Sequence, residues 1–160
     1  MGPQDRSRAS GRKHPMDALM ARAHTYTLAE PYEATLGLVR SAVDAAHVAV
    51  ALECDLAQLL RDQYSVRLAS CRVFLLYSPA KLLQSMVLDP RTAPFTLLPL
   101  AVSERDHTGL VHVPSLAENH PGYKRLLDCL GGRIVVGQPS GELEGAGNGT
   151  LERIMDGIEQ

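Results

Sequence analysis

Five apolar side chains, Tyr32, Leu36, Val39, Val43 and Ala46, recur at steps of four, three, four and three residues. That spacing puts all five on one stripe of an α-helix, and such a stripe must be buried against a second layer. Pro31 stands just ahead of it, at a position where a missing N–H costs nothing. The second layer is written on either side. His24-Thr25-Tyr26-Thr27-Leu28 alternates and is rich in strand formers, and Val48 to Glu53 forms another extended run. A helix that joins two strands and has one apolar side is built to lie on a sheet.

The remainder extends the pattern. Asp55 is placed to cap a short helix carrying Leu56, Leu59 and Leu60, with Gln58 completing a capping box. Arg72-Val73-Phe74-Leu75-Leu76-Tyr77 is apolar after its first residue, as a central strand is. Ser78-Pro79 opens a helix whose expected buried face is Leu82, Leu83 and Met86, and Asp89-Pro90 closes it. Leu98, Leu100 and Val102 share one face of a further strand, with Pro99 at its beginning or edge. Arg105 to Gly109 reads as a hairpin loop, and Leu110 to Val113 as the returning strand. Ser115 and Glu118 suggest another capping box, for a helix that Pro121 interrupts and Tyr123, Leu126, Leu127 and Leu130 resume up to Gly131-Gly132. Ile134-Val135-Val136 is apolar with no defined period.

Two hairpin strands and long connections favour an α+β fold: a mainly antiparallel sheet with helices packed on one face. Residues 1–20 read as a disordered tail or an over-extended start, since Met16 or Met20 can equally begin the chain. Residues 21–136 form the α+β domain. Residues 137–149 are a Gly-rich loop, and 150–160 a C-terminal helix carrying Leu151, Ile154, Met155 and Ile158.

Composition removes several classes of function. The net charge is −2 and aromatic residues make up 4% with no Trp, so neither the electrostatics nor the stacking platforms of a nucleic-acid binder are present. The basic residues Arg6, Arg8, Arg12 and Lys13 sit in a segment read as a solvated tail. No apolar run reaches the roughly 20 residues of a spanning helix, so no membrane association is expected. Cys54, Cys71 and Cys129 are odd in number and far apart. They form neither a disulfide framework nor a zinc knuckle, and read as reduced thiols of a cytoplasmic protein. Gly145 to Thr150 looks superficially like a phosphate loop, but it has no Walker lysine and its sixth residue is Thr. No cofactor and no metal is expected.

Glu53 and Asp55 are the strongest chemical signal, two apart at the end of a strand and so on one face. Paired carboxylates can do acid–base work or hold a hard cation. Equally, Asp55 can cap the next helix while Glu53 pairs with a base such as Arg72. Cys54 points to the opposite face. His47 is too distant to activate it, and His107 and His112 read as surface or partly buried histidines.

Several landmarks in order resemble the family called domain of unknown function 302 (DUF302). They are Pro31-Tyr32 opening the helix, Glu53-Cys54-Asp55 closing the next strand, Leu75-Leu76-Tyr77-Ser78-Pro79, Asp89-Pro90, and Leu97-Leu98-Pro99-Leu100. The resemblance covers about residues 24–116. It implies a sheet of strand-helix-four strands-helix order, like TATA-binding-protein-like domains, and pairing as homodimers. Many relatives carry Cys-Asn-Pro in place of Tyr77-Ser78-Pro79 and Pro-Cys-Asn in place of Pro99-Leu100-Ala101. Thiol or metal chemistry at those two cysteines therefore does not transfer to this chain.

The expected function is a homodimeric module that binds a small molecule or a protein partner in an apolar pocket between sheet and helices. Its ligand-binding residues are taken as Tyr32, Glu53, Asp55, Arg72, Phe74, Leu76 and Leu98. The alternative is an enzyme built on Glu53 and Asp55, with or without a metal.

Overall fold

The computed structural model describes residues 23–115 and 120–139. Six strands form a single sheet in the order β2-β3-β4-β5-β1-β6, every neighbouring pair antiparallel. The strands are β1 (Ala23–Leu28), β2 (Ala49–Asp55), β3 (Cys71–Tyr77), β4 (Leu97–Arg105), β5 (Thr108–Pro114) and β6 (Ile134–Pro139). Helix α1 (Tyr32–Ala45) joins β1 to β2, α2 (Leu56–Tyr64) joins β2 to β3, and α3 (Pro79–Leu88) leads from β3 into a 3-10 segment, Pro90–Thr96, before β4. Helix α4 (Pro121–Leu130) precedes β6. The α+β architecture is the one the sequence pattern implies.

The core lies between one sheet face and the pair α1 and α4. The stripe of α1 is buried as its period requires, and it meets Phe74, Leu76, Leu98, Leu100, Val102, Val111 and Val113 from the strands and Tyr123, Leu126 and Leu130 from α4. Alternate strand residues therefore face the helices. Tyr123 is anchored further by its hydroxyl, which donates to the Pro99 carbonyl at 2.5 Å.

Local chemistry sets the connections. Asp55 caps α2 by accepting from the Gln58 backbone N–H at 2.9 Å. The Gln58 side chain does not close the box; it donates to Asp62 instead. The β4–β5 connection is tighter than the sequence suggests. Only Asp106 and His107 lie outside the strands, with φ of 50° and 62°, the left-handed pair of a two-residue hairpin that matches the strand twist. Pro121 does not interrupt a helix but opens one, with His120 as N-cap accepting from the Gly122 N–H at 3.0 Å. Residues 116–119 lie outside the described residues, and so does the Glu118 end of the expected box. The Ile134 run is strand β6, added beside β1. The expected tail at 1–20 and the C-terminal helix at 150–160 also fall outside the described residues.

A further expectation is overturned. The sequence pattern puts Leu83 and Met86 on a buried face of α3, yet they are 67% and 50% exposed. Ser85 is the buried residue of this helix, hydrogen-bonded to Thr92. The helix packs mainly on the segment that follows it rather than on the sheet.

Candidate functional site

Strand register assembles the polar cluster. Asp55 lies directly across from Arg72, and Glu53, two residues earlier, shares its face. The Arg72 guanidinium spans both carboxylates: Nη1 donates to Glu53 Oε1 at 2.9 Å and Nη2 to Asp55 Oδ2 at 3.1 Å. From α1, Arg40 Nη2 reaches the same Glu53 oxygen at 2.5 Å. Cys54 alternates to the other face, opposite Val73. Four residues thus tie α1, β2 and β3 together at one end of the sheet, and the cap on α2 joins them through Asp55.

The electrostatics follow from these bonds. Arg40 is the largest influence holding the Glu53 carboxyl below its usual range, with Arg72 adding to it against a desolvation effect. The Gln58 N–H does the same for Asp55, again helped by Arg72. Arg72 is pushed above its usual value by Glu53 first and Asp55 second. Both carboxylates are therefore held ionised, opposite to the raised pKa that a general acid needs.

Tyr32, in the first turn of α1, is buried beside this cluster, and burial raises its phenol pKa against the opposing pull of Arg72. Its hydroxyl has no hydrogen-bond partner among the described residues, and neither has the buried Arg72 Nε. Native interiors rarely leave such groups unpaired.

Of the expected site residues, Tyr32, Glu53, Asp55 and Arg72 are brought together. Phe74, Leu76 and Leu98 are instead core packing, 0%, 0% and 3% exposed, and their side chains meet α1 and α4. They are packing and not an open wall: Phe74 lies across from Glu53, while Leu76 and Leu98 pair with each other further along the sheet. Sequence reasoning missed Arg40. Its signal was its place on the helix one residue past Val39, flanking the apolar stripe.

It also missed what His112 does. On the sheet face turned away from the helices, His112 Nδ1 lies 2.9 Å from Thr25 Oγ1 and its Nε2 lies 2.6 Å from Ser103 Oγ. The ring bridges three strands, and burial, followed by the charge of Arg105, lowers its pKa. Thr25 and His112 are direct partners across β1 and β5, with Ser103 diagonal to them on β4.

Among the described residues no three His, Cys, Asp or Glu side chains are grouped to hold a metal, and no helix is long and apolar enough to cross a membrane.

Fold and cluster together define a small antiparallel α+β domain with a charged clamp at one sheet end. No protein-family model matches the sequence, and no curated protein matches it significantly. Among solved structures the chain is similar to the crystal structure of an uncharacterised conserved DUF302 protein from Bacillus stearothermophilus, with a TM-score of 0.57 and 14% identity over 69% of this chain and 97% of that one. The shared architecture is the α+β one that the sequence resemblance implied.

Proposed function

We propose that this chain is a homodimeric binding module that receives an acceptor-bearing small molecule, or the acceptor group of a partner protein, at the Tyr32–Arg72 rim. One observation carries the reading: two buried donors, the Tyr32 hydroxyl and Arg72 Nε, lie in one neighbourhood without acceptors among the described residues. An oxygen presented there, such as a carbonyl or carboxylate, would satisfy both and remove a cost of about 1–3 kcal/mol per unpaired group.

The enzyme alternative gains nothing from the cluster. Glu53 and Asp55 are engaged by arginines, ionised, and tied into the fold, which suits a clamp. The test is direct. Acetate and acetamide are titrated while the Arg72 Nε–H resonance is followed by NMR. The expected result is a saturable shift at that resonance that Tyr32→Phe weakens without lowering the melting temperature. No shift with either probe would sink the reading. Native mass spectrometry of the full chain tests the homodimer separately.

A further inference from the structure

Helix α3 and the segment after it present Leu83, Met86, Val87, Leu88 and Phe95 to solvent, at 67%, 50%, 75%, 75% and 84% exposure. A single exposed leucine needs no explanation, but five large apolar side chains within 13 residues do. The hydrogen bonds explain why the element holds its shape without them: Ser85 is bonded to Thr92, and the Thr92 hydroxyl also donates to the Asp89 carbonyl at 2.7 Å. The backbone is fastened from inside while the apolar side chains face outward. We propose that this outer surface is where a second copy of the chain docks, apolar against apolar about a two-fold axis. The inference rests on the homodimer reading and assigns its contact surface.

Two further observations select a second copy as the occupant. These five side chains, half to more than four-fifths exposed, supply the apolar centre around which an ordinary stable interface of roughly 800 Å² per partner is built. Charge also fits self-contact. A two-fold contact sets a patch against itself, so an uncompensated charge would repel its own image. Leu82 to Leu88 contains no charged residue. At the border Arg91 is doubly bonded to Asp89, Nε to Oδ1 at 3.0 Å and Nη2 to Oδ2 at 2.8 Å, so the two charges cancel locally. Charge depletion of this kind marks the centre of permanent interfaces.

The experiment is sedimentation equilibrium on the full chain and on three variants, Leu88→Glu, Phe95→Glu and, as a control on the β2 edge, Leu52→Glu. All three positions are exposed, so circular dichroism should match the parent protein. The expected result is a dimeric parent whose dissociation constant rises at least about 100-fold in Leu88→Glu and Phe95→Glu, because each buries an unpaired charge at the contact, while Leu52→Glu stays dimeric. A dimer that survives both Leu88→Glu and Phe95→Glu, or is lost in Leu52→Glu alone, overturns this placement but leaves the homodimer reading standing. A monomeric parent overturns both. If its α3 amides are protected from hydrogen exchange only while residues 140–160 are present, the occupant is the chain's own C-terminal segment and not a second copy.

Discussion

Gly109 and Thr35 sit so close that a Cβ built on the glycine would lie 1.9 Å from the threonine Oγ1. Both residues are buried, and both donate to the Glu30 carbonyl, the Gly109 N–H at 2.9 Å and the Thr35 hydroxyl at 3.3 Å. This is where α1 touches down on β5. Gly109→Ala should therefore force the helix away from the sheet and cost about 2–3 kcal/mol. Gly37, exposed on the same helix with nothing within 4 Å of where its Cβ would stand, is the control. Gly37→Ala should stabilise by about 0.5–1 kcal/mol. Urea titration of both variants checks the pair, and equal effects would refute the close approach.

The two buried tyrosines should part company. Tyr123 donates to a strand carbonyl, so Tyr123→Phe should cost about 1 kcal/mol, leaving the Pro99 oxygen short of a donor. Tyr32 has no such partner among the described residues, so Tyr32→Phe removes a buried unpaired hydroxyl and should stabilise the chain by about 1 kcal/mol or more. Thermal melts decide this, and a large loss at Tyr32 would mean that its hydroxyl is structurally paired.

The clamp should show in acid. Glu53 and Asp55 titrate below their usual values of 4.5 and 3.8 in the folded state. Their stabilisation is complete above those values and is lost as pH falls through the lower folded ones. Arg72→Met should cost about 1–2 kcal/mol at neutral pH, discounted for the partial exposure of all three side chains. The cost should shrink as the carboxylates protonate. Denaturant midpoints from pH 7 to pH 2.5 measure it, and a pH-independent difference would argue that Arg72 acts only through packing.

His112 predicts a second pH window. Its folded pKa lies below the ordinary 6.5, so the unfolded chain takes up the proton first. Its contribution is complete above 6.5 and is lost as pH falls toward the folded value. His120 is lowered too, chiefly by burial, and acts in the same direction. His112→Gln should flatten part of the stability slope below pH 6.5, leaving the part that His120 contributes and, at lower pH, that of the carboxylates. NMR titration of both rings is the check, and a His112 ring that titrates at or above 6.5 would contradict the bridge to Thr25 and Ser103.

The α1 stripe, the strand alternation and the Glu53–Asp55–Arg72 meeting were legible because each is a local period or follows from neighbouring strands. Arg40 was not, because its partner is set by the angle at which α1 crosses β2. Nor was the His112 bridge, because one partner, Thr25, lies 87 residues away and the other, Ser103, becomes a neighbour only once the tight β4–β5 hairpin sets the register. The reading of Leu83 and Met86 failed for a different reason. An apolar face on a helix does not by itself say which element packs on it, and here the 3-10 segment takes the Ser85 side instead.

β1 lies between β5 and β6 in the sheet. Thr25 meets His112 87 residues later, and β6 comes later still. During synthesis at about 10 residues per second, the first strand waits roughly ten seconds before either flank is covered. Such distant pairings also slow folding itself. For that interval a strand-forming segment stands open on both edges, so the newborn chain, more than the finished one, is where aggregation and chaperone capture should concentrate.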